Sequence, residues 1–165
     1  MKLRTKIHTL KPFKFPAGFI LLQDTREQRP LFTRPPKGLT VQTTTIHDGD
    51  YSLRGFKDRF VVERKQMSDF YSYIGKERKR TLKKLERFDE IKLNGGWVGL
   101  VIEASEKDIL NGNIMGTLSP EVARAFLISW EVRHGFHVYM NRSRKDCARW
   151  ILDRAIKFYR VIREV

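Results

Sequence analysis

Two apolar runs in this chain, Phe19-Ile20-Leu21-Leu22 and WVGLVIEA at residues 97–104, show no alternation of apolar and polar residues. A strand with one wet face alternates with period two, so a continuous run of this length reads as a strand buried on both faces. Such strands need a sheet covered on each side, and the rest of the chain supplies the cover. Residues 39–46 (LTVQTTTI) alternate and are β-branched, which reads as a second strand. After the turn signal Asp48-Gly49-Asp50, the segment YSLRGFKDRFVVERK reads as a hairpin bent around residues 55–58. A helix is expected over about 68–93, with Phe70, Ile74, Leu82, Leu85 and Phe88 apolar, Gly75 interrupting or bending it, and Asn94-Gly95-Gly96 ending it. Ser119-Pro120 starts another helix and Gly135 closes it. A short strand follows at 136–140. Ser143 and Asp146 resemble a capping box opening a last helix, in which Ala148, Ile151, Leu152, Ala155, Tyr159 and Ile162 recur at helical spacing. The pattern is that of one α/β domain with a central mixed β-sheet flanked by helices.

Composition narrows the partner. The 165 residues carry 33 Lys and Arg against 19 Asp and Glu, a formal charge of +14. A small domain with that excess repels itself, so a polyanion is the economical partner and nucleic acid leads. A hydrophobic content of 41% excludes disorder as the main state. The single cysteine, Cys147, excludes an internal disulfide and a multi-thiolate zinc site, and is expected to fill the core. With no apolar run of membrane-span length and no continuous apolar stretch in MKLRTKIHTLKPFKF, a soluble intracellular protein is expected. The charge is clustered: five cations in residues 1–14, thirteen in 54–92 and eight in 142–163. The densest run, Lys76, Arg78, Lys79, Arg80, Lys83 and Lys84, would track phosphates from one helix face. The plainer readings of such a run are a solvated helix face or, less well supported for want of an apolar side, an anionic membrane surface.

The chemistry-bearing residues lie on the hairpin. On a strand at 60–65, Glu63 and Lys65 project from one face while Val62 and Arg64 project from the other. Hairpin pairing brings Asp50 toward Glu63, placing two carboxylates and an ammonium in a small space. Adjacent carboxylates repel unless a cation lies between them, and hard oxygens suit Mg²⁺ or Mn²⁺. Asp24, at the end of the first strand, offers another oxygen, and Arg26 or Arg64 offers a two-pronged phosphate contact. Taken singly, these are surface charges, turn residues and strand ends; together they suit phosphodiester hydrolysis.

Asp24-Thr25-Arg26-Glu27, Gly49-Asp50-Tyr51 and Glu63-Arg64-Lys65, with Asp69 four residues beyond the lysine, closely resemble the nuclease domain of the XPF and Mus-type structure-specific endonucleases, whose signature is GD, a variable gap, then ERKxxxD. Twelve residues fill the gap here, and the similarity continues through LVIEAS at 100–105 and AFLISWEVRHG, spanning roughly 19–162. The resemblance implies a restriction-endonuclease-like fold, a divalent metal (Mg²⁺ or Mn²⁺), and cleavage of DNA near branches, flaps or junctions. It implies that Asp24, Asp50 and Glu63 bind the metal, that Lys65 positions the water, and that Asp69, Glu27, Arg26 and Arg64 support them. Asp69 equally suits the positive end of a helix. The resemblance also implies dimerisation, with a like or unlike subunit, through the helices near 119–134 and 144–163. Residues 1–16 read as a basic extension of this single domain. The family's paired helix-hairpin-helix modules do not appear in the sequence, so DNA grip falls to the basic surface, a second subunit or another protein.

Two rival classes remain: a catalytically silent DNA-binding partner subunit, expected to have lost its acids and lysine, and a basic RNA-binding protein, which would need no clustered acids. His134 and His137 straddle Gly135, which breaks helical geometry, so they are not expected to share a metal. His47 reads as a turn residue, and Trp97, Trp130 and Trp150 as packing residues.

Overall fold

The computed structural model describes residues 11–111 and 118–164. Of the basic extension at 1–16, residues 1–10 therefore lie outside the described residues. Strands β1 (Ile20–Asp24), β2 (Thr40–Thr44), β3 (Tyr51–Leu53), β4 (Phe60–Gln66), β5 (Trp97–Glu103) and β6 (His137–Met140) form one six-stranded sheet in the order β2-β1-β3-β4-β5-β6. β1 is parallel to β2 and antiparallel to β3, β3 is antiparallel to β4, and β4, β5 and β6 run parallel. The mixed sheet expected from the sequence is the one that forms. Its helices are α1 (Met67–Ile74), α2 (Arg78–Leu93), α3 (Glu106–Leu110), α4 (Pro120–His134) and α5 (Arg144–Arg163). Among the described residues no helix is long and apolar enough to cross a membrane.

Side chains alternate across a strand, and on β4 and β5 this sorts the core into two layers. Val61, Val98, Leu100 and Ile102 meet Phe70, Leu85 and Trp130 of α1, α2 and α4. Phe60, Val62 and Val101 meet Ile151, Leu152 and Ala155 of α5. Each fully buried aliphatic side chain, such as Ile102 or Ile151, contributes about 1.5–3 kcal/mol relative to exposure. Of the two strands inferred from unbroken apolar runs, β5 is thus covered on both sides, which is why it does not alternate, while on β1 Leu21 joins the α5 layer and Leu22 is also buried.

Two glycines set the geometry around the hairpin. Gly49 adopts φ +81°, and a Cβ there would lie 2.5 Å from Val61 Cγ1 and 2.9 Å from the Val62 carbonyl oxygen, so only glycine lets this turn press against β4. Gly75 divides the helix expected over 68–93 in two. The amide of Gly75 ends α1 on the Tyr71 carbonyl, and a Cβ there would meet Leu118 Cδ1 at 2.5 Å. The buried Thr81 hydroxyl then donates to the Tyr73 carbonyl, tying α2 back across the break.

The remaining boundaries follow local chemistry. Ser119 caps α4 ahead of Pro120, and Gly135 ends it at φ +62°. Ser143 Oγ accepts from the Asp146 amide at the start of α5. The box with both arms made lies at Ser105 and Asp108 before α3, a short helix that the sequence pattern does not announce. Cys147 and Trp130 are buried, while Trp97 stacks between Phe60 and His137.

Candidate active site

Backbone pairing brings the acids together. The Asp50 amide donates to the Val62 carbonyl of β4 at 2.8 Å, and the Asp24 amide donates to the Asp50 carbonyl at 2.9 Å. Asp50 therefore bridges the ends of β1 and β4, between the two strands that carry Asp24 and Glu63. Its Oδ2 accepts from the Arg64 amide at 2.7 Å, which orients the carboxylate along β4. Glu63 is buried, at 1% exposure, on the side of the sheet facing α2. Lys65 Nζ lies 2.6 Å from Glu63 Oε1, as the period-two spacing requires.

A second ammonium completes the cluster. Lys84 Nζ of α2 donates to both Glu63 oxygens at 2.9 Å. The sequence pattern assigns Lys84 to the phosphate-tracking face; the structure puts it inside the site. Both ammoniums also lie over the Tyr73 ring, at 4.7 Å for Lys65 and 5.9 Å for Lys84. The cations decide the charge states. Burial opposes ionisation of Glu63, but Lys65 and Lys84 outweigh it and hold the carboxyl below its ordinary range. Asp50 has no such pair of ammoniums: burial first, then the Glu63 charge, push it up to about 7. Burial also opposes the Lys65 charge, yet Glu63 and Asp50 keep it above the usual lysine value, so it remains an ammonium.

Asp24 is arranged differently. Arg26 donates to it from its amide and Nε at 2.7 Å and from Nη2 at 3.1 Å, and the Ile46 amide donates at 2.7 Å. Burial would raise this carboxyl, but the Arg26 hydrogen bonds lead in holding it low. Arg26 is thus occupied by Asp24 and the Ile46 carbonyl. Arg64, considered as a phosphate clamp, is instead buried and ion-paired to Glu27 at 3.1 Å and Glu103 at 2.8 Å. Arg144 of α5 joins the same Glu103. This cluster ties β4, β5, α5 and the loop after β1 together behind the site. Asp69 is exposed in the first turn of α1, where its charge favours the Lys65 ammonium.

A further acid, not singled out from the sequence as functional, borders the site. Asp48 accepts from Arg87 Nε at 2.7 Å and faces His47 Nδ1 at 2.7 Å. Elsewhere, His134 meets Asp89 while His137 stacks on Trp97, so the two histidines serve separate partners. On α2 and just before it, Lys76, Arg78, Lys79, Arg80 and Lys83 are exposed and Lys84 turns inward.

The donor set suits a hard divalent ion held by two carboxylates. Asp50 Oδ1 and the Glu63 oxygens are the candidates, with water and phosphate oxygens completing the shell, as Mg²⁺ commonly requires. Among the described residues no group of three or more His, Cys, Asp or Glu side chains is gathered closely enough to hold a metal, and the Asp24 carboxylate is occupied by Arg26.

If the cluster hydrolyses phosphodiesters, Lys84→Met should lower turnover about 10–100-fold, the usual cost of losing a group that orients a ligand, with partial recovery in Lys84→Arg. A matching loss of substrate affinity would make Lys84 a plain phosphate contact.

A mixed six-stranded sheet with helices on both faces is the restriction-endonuclease-like fold. The chain belongs to the ERCC4 domain family, whose profile it matches over residues 23–153. XPF from Aeropyrum pernix superposes with a TM-score of 0.62 at 19% identity, covering 85% of this chain and 61% of that one. XPF from Aeropyrum pernix in complex with DNA superposes at 0.57 with 18% identity, covering 86% of this chain and 64% of that one. The chain therefore spans under two thirds of each of these two XPF chains. No curated protein sequence matches it.

Proposed function

We propose that this domain is a divalent-metal-dependent DNA endonuclease that hydrolyses phosphodiester bonds at branched, flap or junction DNA. The observation that carries the reading is the Asp50, Glu63 and Lys65 cluster, in which the turn before β3 sets a second carboxylate beside the carboxylate and ammonium of β4. Mg²⁺ or Mn²⁺ held by Asp50 and Glu63 would neutralise phosphoryl charge and acidify a bound water. Lys65, always charged, supplies a donor to the attacking water and to developing negative charge, not a base. Asp24 becomes available as a further ligand when Arg26 turns to the DNA. The exposed cations of α2 track the phosphates. A second subunit, like or unlike, docks at α4 and α5, where Ile128 and Val132 of α4 are exposed. Because those helices pack in opposite core layers, such a contact wraps the edge formed by β6. The protein acts where DNA is held, in a nucleus or nucleoid, including that of an infected cell.

The rival reading, a catalytically silent DNA-binding subunit, draws support from the saturation of Glu63 by two ammoniums and of Asp24 by Arg26. One experiment separates them: the purified chain with Mg²⁺ or Mn²⁺ on labelled flap, fork, junction and linear duplex DNA. Cleavage near the branch supports the enzyme; binding without cleavage by either ion supports the silent subunit. Neutralising Lys79, Arg80 and Lys83 to Gln should weaken duplex binding and reduce the salt slope by about 2.7, since each phosphate contact contributes roughly 0.9. An unchanged slope removes α2 from the DNA interface.

A further inference from the structure

A second cationic surface lies on the opposite side of the sheet from α2. Residues 11–17 run along α5, held by arginines that donate to backbone carbonyls: Arg149 to Lys11, Arg160 to Lys14 and Arg163 to Ala17. Two concavities flank this strap. One, of about 440 Å³, has an apolar floor that includes Phe13, Phe32 and Leu152 and a rim that includes Arg34, Arg144 and Lys145. The other, of about 450 Å³, continues past Lys14 and Lys157 to Arg160. They adjoin at Phe13 and Arg149, which line both, and together make an interrupted groove along the helix. Asp146 and Asp153 are the acids in its lining, far outnumbered by cations. The α5 span from Arg144 to Arg163 is about 28 Å at 1.5 Å per residue, long enough for several nucleotides.

We propose that this groove binds single-stranded DNA, the unpaired arm of a branched substrate. The chemistry favours a single strand over a duplex. Phosphates meet the cationic rim in either form, but only unpaired bases can reach an aromatic floor and stack there. Phe13 is half-buried, with the Arg149 guanidinium 4.6 Å from its ring centroid, so aromatic and cationic surfaces are already layered in the groove. The groove also reaches the ion cluster behind the site. Arg144 on its rim shares Glu103 with Arg64, whose amide holds Asp50. A strand leaving the groove at Arg144 would have to pass around the end of β4 and β5 to reach the acid cluster, while α2 offers its own cations on that other side. The two surfaces would receive different arms of one branch, which deepens the nuclease reading and rests on it.

The test uses the full chain in EDTA, so that binding is measured without cleavage, with labelled oligo-dT of about twenty nucleotides and a blunt duplex as probes. Lys145→Gln with Lys157→Gln should reduce the salt slope for oligo-dT by about 1.4, each single-strand contact contributing about 0.7. Phe13→Ala should weaken oligo-dT at least about fivefold, the low end for a lost base–aromatic stack, and leave the duplex unchanged. Phe13→Trp, which keeps an aromatic face, should retain oligo-dT binding, separating stacking from support of the strap. The proposal is overturned if oligo-dT affinity and slope survive these changes, if duplex affinity falls equally, or if polyglutamate competes as well as oligo-dT. Failure of the nuclease reading would show elsewhere, as absence of Mg²⁺-dependent cleavage by the unaltered chain.

Discussion

Glu63→Gln is expected to lower Mg²⁺-dependent cleavage by more than about 100-fold, beyond the range typical of a supporting group, and Asp50→Asn to do the same. Both substitutions preserve shape and keep one acceptor oxygen while removing one negative charge and turning the other oxygen into an NH2 donor. The amide oxygen introduced by Asp50→Asn would still accept from the Arg64 backbone, and that of Glu63→Gln from Lys65 or Lys84, so the local backbone has no reason to move. What disappears is the anionic oxygen that a hard cation requires. DNA binding should survive or tighten, because a repulsive charge leaves a surface facing phosphates. Paired measurements of cleavage by gel and affinity by anisotropy decide the matter. Retained cleavage in both variants would sink the active-site assignment, whereas parallel loss of cleavage and affinity would indicate a damaged fold.

The meeting of Asp50 and Glu63 was legible because it depends on local rules. Hairpin pairing places residue 50 beside β4, and the pleat puts 63 and 65 on one face. Lys84 was not legible in the same way. Its approach to Glu63 depends on the break at Gly75, which rests on packing against Leu118, and on the Thr81 bond across it. Helical periodicity across 68–93 carries no record of that turn. The fate of Arg64 was hidden for a related reason: Glu27 and Glu103 become its partners only once β4 pairs with β5 and the loop after β1 folds over it. The capture of Asp24 by Arg26 does have a sequence signal. An arginine two residues after a carboxylate at a strand end can close back on it, and here four hydrogen bonds to that carboxylate result, three of them from Arg26. The Ser105-x-x-Asp108 capping box was equally readable, but with Asp in place of the usual Glu and a helix of only five residues it lacked the periodic run that flags longer elements.

A carboxyl pushed up to about 7 also predicts where the metal-free domain is strained. An unfolded Asp titrates near 3.9, so between about pH 4 and 7 the folded chain binds more protons at Asp50 than the unfolded chain does. Stability therefore falls as pH rises through that window, and the loss is complete above it. The corresponding penalty is roughly 2–4 kcal/mol, following about 1.4 kcal/mol per unit with allowance for relaxation. In EDTA at pH 8, Asp50→Asn should melt about 5–15 °C above the unaltered chain, at 2–4 °C per kcal/mol for a domain of this size. The gap should narrow as pH falls and close near about pH 4, where Asp50 is protonated in the folded state and largely so in the unfolded one. Adding Mg²⁺ at pH 8 should raise the melting temperature of the unaltered chain more than that of the variant, because compensation of the Asp50 and Glu63 charges is what the ion contributes to stability. A variant that melts at or below the unaltered chain from about pH 4 to 9, with no difference in response to Mg²⁺, would mean that the two carboxylates coexist without strain and that their convergence is structural. The predicted pattern would instead mean that stability has been given up at the residues on which cleavage depends.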